Sequence, residues 1–175
     1  MPHDETKSSI WTYQDINGTN TTIIGVDNSY KIGDSDFKLT TFTGIGIDTN
    51  KDSSSSSVIV DVKGNYRYGD TCLSGGFRLR NKFGENTQST QLRLQPMNVN
   101  IPVSDKVSLY ATPYVVGKQN WKNNTIEPVV GGFAGASYKV RAGKMSIEGQ
   151  YDRSITRGTN GYSVNVGYVI PLQNL

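Results

Sequence analysis

One histidine and one cysteine among 175 residues remove several kinds of chemistry at the outset. Cys72 alone closes no internal disulfide and supplies no multi-cysteine metal site. His3 lies in a polar N-terminal stretch, and a general base must sit within hydrogen-bond reach of its partner, so histidine-dependent catalysis is not expected. No apolar run reaches the 18 or so residues that a transmembrane helix needs. The net charge of +3 is spread along the chain without a Lys/Arg run or a basic helix, which argues against nucleic acid as a partner. No G-x-x-x-x-G-K-[ST] loop occurs, and the cluster Gly131-Gly132-Phe133-Ala134-Gly135 reads as strand positions where small residues make room for large neighbours. Asp/Asn pairs such as Asp27-Asn28 and Asp48-Thr49-Asn50 are ordinary turn chemistry, so no metal or cofactor is expected. Residues 1–9 are polar and hold no apolar leader core, so an exported form is expected to be numbered here from an added methionine.

What the chain does have is period-two alternation. Val58, Val60, Val62, Tyr66 and Tyr68 alternate with Asp61, Lys63, Asn65 and Arg67; Leu73, Phe77, Leu79 and Phe83 alternate with Ser74, Arg78, Arg80 and Lys82. Alternation puts apolar and polar residues on opposite faces of a strand. About ten such runs are legible, at 9–16, 21–32, 37–48, 57–68, 71–83, 88–101, 106–118, 126–140, 144–155 and 161–172. No segment carries a helical period. The gaps after even-numbered runs look short and most of those after odd-numbered runs look longer and more polar, including the serine run at 49–56. Loops sorted by parity, an even strand count and strands of 9–11 residues or so are the pattern of an antiparallel up-and-down transmembrane β-barrel. The expected organisation is a disordered N-terminal tail at 1–8, the barrel at 9–172 and a C-terminal tail at 173–175.

With strand directions assigned, Phe37, Tyr66, Tyr68, Tyr138 and Tyr168 fall on the outward face near the short-turn end, together with Tyr30, and Phe83, Tyr151 and Tyr162 fall near the other end. These are the expected membrane-interface aromatics. The inward phase carries Lys63, Arg67, Arg78, Arg80, Arg93, Glu148 and Asp152 as lumen-lining residues, with further Lys, Asp and Glu. An Arg or Lys facing lipid at the midplane costs about 2–4 kcal/mol, whereas a lumen lets charges pair or stay hydrated. Two uses of that interior are open: an ion-pair network filling it, or a narrow pore whose surplus of positive charge favours small anions. Inward Gly25, Gly44, Gly46, Gly76, Gly131, Gly135 and Gly167 bear on the second by reducing filler. Cys72 reads as a small inward residue. Pro96, Pro113 and Pro128 lie inside proposed strands and must each mark a bulge or a strand end, since proline donates nothing to a ladder. After Pro96 the apolar phase inverts from Leu92 and Leu94 to Met97, Val99 and Ile101, which one extra residue repairs. Trp121, the apolar anchor of a polar loop, is a membrane-interface residue or a contact for a partner.

The alternating runs and the last strand, Gly161-Tyr-Ser-Val-Asn-Val-Gly-Tyr-Val-Ile-Pro-Leu172, resemble the small outer-membrane β-barrel proteins of Gram-negative bacteria over essentially the whole chain. The last strand is similar to that family's C-terminal assembly signal, although Pro171-Leu172-Gln173-Asn174-Leu175 stands where a terminal phenylalanine is usual. The resemblance implies the outer-membrane bilayer as surroundings, the barrel-assembly machinery as a partner during biogenesis, and a non-enzymatic role as a small porin-like channel for small anions or as a structural or surface-interaction protein with an extracellular ligand. The barrels of that family that are enzymes rely on histidine with acidic residues or serine, a set that His3 does not provide. A soluble all-β protein (a lipocalin-like barrel, or a virion or filament β-sandwich subunit) is the competing reading, with the two faces exchanged, because alternation does not say which phase faces in. A translocator barrel for a passenger chain calls for a helix threading the lumen, and the N-terminal segment has no helical pattern.

Overall fold

A computed structural model describes residues 3–84 and 88–172. These form β1 (His3–Asp15), β2 (Asn20–Lys31), β3 (Phe37–Thr49), β4 (Ser54–Tyr68), β5 (Thr71–Phe83), β6 (Ser89–Pro102), β7 (Val107–Asn120), β8 (Thr125–Val140), β9 (Gly143–Ser154) and β10 (Asn160–Pro171). Each strand pairs antiparallel with its neighbours in sequence, and β1 pairs with β10, so the sheet closes on itself. No helix among the described residues is long and apolar enough to cross a membrane.

The alternation resolves into an inside-out barrel. Outward positions carry the aliphatic set: Ile45 is 64% exposed, and Ile24, Ile47, Val58, Leu92, Leu94, Val115 and Ile147 are exposed with it. Inward positions carry charge, and Asp61 is only 2% exposed. The soluble alternative requires the reverse arrangement, with the Val58, Val60 and Val62 phase as core.

Three expectations are corrected. The strand ladder starts at His3 rather than Ser9: residues 5–8 pair with Val26–Ser29 of β2, and Lys7 lies opposite Asp27. This part of β1 is paired to β2, whereas the ladder to β10 begins only at Ser9↔Pro171. Met1 and Pro2, and the expected tail at 173–175, lie outside the described residues. Secondly, the gaps do not sort by length. The strands absorb residues that looked like loop, leaving connections at 16–19, 50–53, 84–88, 121–124 and 155–159 against turns at 32–36, 69–70, 103–106 and 141–142. The first of those turns is as long as the longest loop. The serine run belongs to β4 from Ser54 and pairs with β3, since serines on a barrel wall bond through their backbone as well as any residue does. Thirdly, the inward glycines do not leave space; they are covered, as described below.

The proline expectations hold. The pairing of β6 shifts by one residue against both neighbours around Pro96, between Gly76↔Gln95 and Ser74↔Asn98 and between Leu94↔Val115 and Val99↔Ala111. That bulge returns Met97, Val99 and Ile101 to the outer face. Pro113 of β7 lies opposite the same interruption, and Pro128 lies just past the end of the β8–β9 ladder, which begins at Val129↔Ser154. In the two-residue β4–β5 turn, Gly69 has φ 58° and Asp70 is not left-handed, as a type II′ hairpin with glycine first requires.

Candidate functional site: the barrel interior

Cross-strand register decides which inward residues meet. Asp61 on β4 faces Arg78 on β5 directly, and its Oδ2 accepts from Arg78 Nε at 3.0 Å and Nη2 at 2.7 Å. Lys63, two residues along β4 and therefore on the same face, brings Nζ to 3.2 Å from the same oxygen. A second centre lies nearer the loop end. Arg80 and Lys82 reach from β5 across the small inward residues Ser55 and Ser57 of β4 to Asp48 on β3. Arg80 Nη2 donates to both Asp48 oxygens, at 3.0 and 2.9 Å, Lys82 Nζ is 2.6 Å from Oδ2, and Thr21 Oγ1 donates to Oδ1 at 2.6 Å. Arg80 Nε also donates to Ser57 Oγ at 3.2 Å. The serine run is thus the floor over which two long cations cross.

The far wall is built from tyrosines and carboxylates. Tyr110 on β7 donates to Glu148 Oε2 at 3.2 Å, Tyr114 donates to Asp152 Oδ1, and Gln150 Nε2 donates to Asp152 Oδ2 at 2.7 Å. Arg93 on β6 faces Arg78 across the ladder, and like charges directly opposite repel. Arg78 is neutralised by Asp61, while Arg93 turns away and stacks over the Tyr114 ring, with its guanidinium carbon 4.3 Å from the centroid.

Aromatic rings form two further clusters on the inner face. Phe42 lies 5.3 Å from Trp11, centroid to centroid, and packs with Ile23 and Ile59, with Trp11 and Tyr13 alongside. Phe133 lies 6.2 Å from Tyr110 and 5.9 Å from Tyr114. Five of the inward glycines lie under these groups. A β-carbon on Gly25 or Gly44 would overlap the Phe42 ring; on Gly135 it would meet Tyr110, on Gly167 Tyr13, and on Gly131 Tyr114 and Asp152. Missing side chains on one strand are filled by large ones from the next.

Of the expected lumen residues, the structure brings together Lys63 with Arg78, Arg80 with Asp48, and Arg93, Glu148 and Asp152 with the tyrosines of β7. Arg67 is inward in phase but exposed at the turn end, away from both charge centres, and Cys72, opposite it, is half-buried. The apolar inner group Trp11, Tyr13, Ile23, Phe42 and Ile59 was missed by sequence reasoning. Its signal is an aromatic or aliphatic residue in the same phase as glycines on its own or a neighbouring strand, as Phe42 is with Gly44, Gly46 and Gly25. The expected interface aromatics lie on the outer face: Phe37, Tyr66, Tyr68, Tyr138 and Tyr168 towards the turn end, and Phe83, Tyr151 and Tyr162 towards the loop end. Trp121 is 58% exposed in its loop, and its indole donates to Thr90 Oγ1 at 3.1 Å. Among the described residues no group of three or more His, Cys, Asp or Glu side chains is placed to hold a metal.

No family model matches the chain, and no curated protein matches it. Solved structures similar to it include the outer-membrane protein OmpT of Vibrio cholerae in its trimer form (14% identity over 87% of this chain, TM-score 0.47) and a BenF-like porin from Pseudomonas fluorescens (9% over 95%, TM-score 0.48). The translocator domain of the autotransporter NalP from Neisseria meningitidis is a third, at 14% identity over 95% of this chain with a TM-score of 0.42. The chain spans 56% of the OmpT chain, 52% of the porin and 88% of the translocator domain. The protein is a closed, ten-stranded antiparallel β-barrel with an apolar outer wall and a charged inner face.

Proposed function

We propose that this chain is an integral β-barrel of a bacterial outer membrane, closed to conduction by its own side chains, acting as a structural or surface-interaction protein and not as an enzyme. The membrane part of the reading rests on the outer wall: a row of exposed aliphatic side chains around a charged interior is stable only where the surroundings are apolar. The outer face of β10, with Tyr162, Val164, Val166 and Tyr168, is what the assembly machinery would meet during biogenesis. The single observation behind the closed interior is that inward Gly25, Gly44, Gly131, Gly135 and Gly167 are covered by aromatic rings while Lys63, Arg78, Arg80 and Lys82 are held by Asp61 and Asp48. With connections of four or five residues at the loop end, contact with an extracellular partner falls to rim residues such as Lys51, Trp121 and Lys122.

Heat-dependent mobility on SDS gels, in detergent, tests the barrel; planar-bilayer recording tests the closure. The wild type is expected to shift on boiling and to stay electrically silent, and the filler-stripped variant Trp11→Ala/Phe42→Ala/Tyr114→Ala to pass current. A steady wild-type conductance with an anion preference that Arg80→Glu/Arg93→Glu reverses would replace this reading by the channel. A protein monodisperse without detergent would overturn the membrane reading itself.

A further inference from the structure

The outer wall is uneven. Over β2 to β6 it bears Ile, Val, Leu and Phe, but over β7 to β10 two successive cross-strand rows run Pro113–Gly132–Tyr151–Tyr162 and Ala111–Ala134–Gly149–Val164. Together they line an open, shallow trough of about 590 Å³ on the outer face. Ala111, Pro113, Gly132, Ala134 and Gly149 are its floor, and Tyr151, Tyr162 and Val164 its wall. Two rows lie about 7 Å apart along the strands and four strands span about 14 Å, so the trough is longer than it is wide. The two tyrosines pack at 5.1 Å, and Tyr151 donates to Asn160 Oδ1 at 3.1 Å, which holds the wall upright.

One row towards the loop end stands Arg153, outward-facing and exposed, between Val130 and Asn160. The inward carboxylates Asp152 and Glu148 are on the other face of the strand, and among the described residues no ion pair engages Arg153. By contrast its loop neighbour Arg157 is paired with Glu127 at 3.3 Å.

From this geometry we infer that the trough on β7–β10 holds one acyl chain of an anionic lipid, whose phosphate rests on Arg153. The inference rests on the membrane reading above. Within a bilayer an unfilled trough loses dispersion contacts along its whole floor, and the surroundings supply a flexible apolar chain to restore them. The cation at the boundary between the aliphatic and polar zones is where a lipid phosphate lies when its chain points inward, and the tyrosine rings belong at that level too. A second copy fits the same surface poorly. Twofold pairing sets a surface against itself, so a trough would meet a trough and leave both empty, with two Arg153 side chains brought towards one another.

Native mass spectrometry of the full chain, released from mixed phosphatidylglycerol and phosphatidylcholine micelles, tests this. The wild type is expected to retain one lipid, favouring phosphatidylglycerol about fivefold, the worth of one cation at a membrane surface. Arg153→Gln should abolish the preference while a lipid is still retained. Ala134→Leu/Gly149→Leu should abolish retention of both lipids; a β-carbon at Gly149 has open room, its nearest neighbour being the Ala134 carbonyl oxygen at 4.0 Å. Boiling-dependent gel mobility, unchanged in every variant, certifies that the barrel is intact. Equal retention by the Ala134→Leu/Gly149→Leu barrel, no retention by an intact wild-type barrel, or a wild-type dimer that this variant dissociates would each overturn the inference. Loss of the mobility shift in the wild type would instead strike the membrane reading.

Discussion

Replacing Asp61 by Asn separates an interior held by charge pairing from one held by shape alone. Asp61 is 2% exposed, and its one carboxylate pairs with two cations, Arg78 and Lys63. The amide keeps the volume but removes the carboxylate that both cations contact. Removing one partner of a buried pair costs about 3–5 kcal/mol. Lys63 and Arg78 keep 30% and 21% of their side-chain surface accessible, so lumen water screens part of that loss and about 2–3 kcal/mol is expected. With a urea slope of about 2–3 kcal/mol/M, the midpoint of unfolding from lipid vesicles should fall by about 1 M. Emission from Trp11, which lies against Phe42, reports the transition. Asp52→Asn is the reference, since its pair with Lys51 is 4.0 Å long and exposed, and its midpoint should not move. Asp61→Leu/Lys63→Met/Arg78→Met should recover most of the loss, because an apolar replacement of the whole group removes the buried charges together. A midpoint for Asp61→Asn equal to that of Asp52→Asn would refute the reasoning, and so would a triple variant no more stable than the single one.

Gly44→Ala puts a β-carbon 2.6 Å from Phe42 Cζ and 2.9 Å from the Ile24 carbonyl oxygen; a loss of about 1–3 kcal/mol is expected, partly restored by Phe42→Leu in a double-mutant cycle. Pro113→Thr, opposite the β6 bulge, should change the urea midpoint negligibly, whereas Val60→Pro, paired without interruption on both sides, should eliminate the heat-dependent gel shift. Iodide should quench Trp121 strongly in the Trp11→Phe barrel and Trp11 weakly in the Trp121→Phe barrel, since one indole is in an exposed loop and the other stacks inside; equal quenching would place Trp11 outside the packed group.

Strand number, antiparallel order and the Pro96 bulge were legible in the residues because each is local: alternation is a property of neighbours, and an inverted phase after a proline announces its own repair. The outward aromatics followed from the same phase. Loop lengths did not, because a serine run has no pattern of its own, and its pairing with β3 depends on Ile47 and Thr49 on another strand. Nor did the interior: that Asp48 gathers Arg80 and Lys82 from two strands away, or that Phe42 covers Gly25, depends on register between segments whose separation along the chain carries no signal. Alternation by itself determined that the strands of this chain have two chemically distinct faces. Only the tertiary structure decided that the charged face closes inward, since a period of two is the same pattern whichever way the sheet curls.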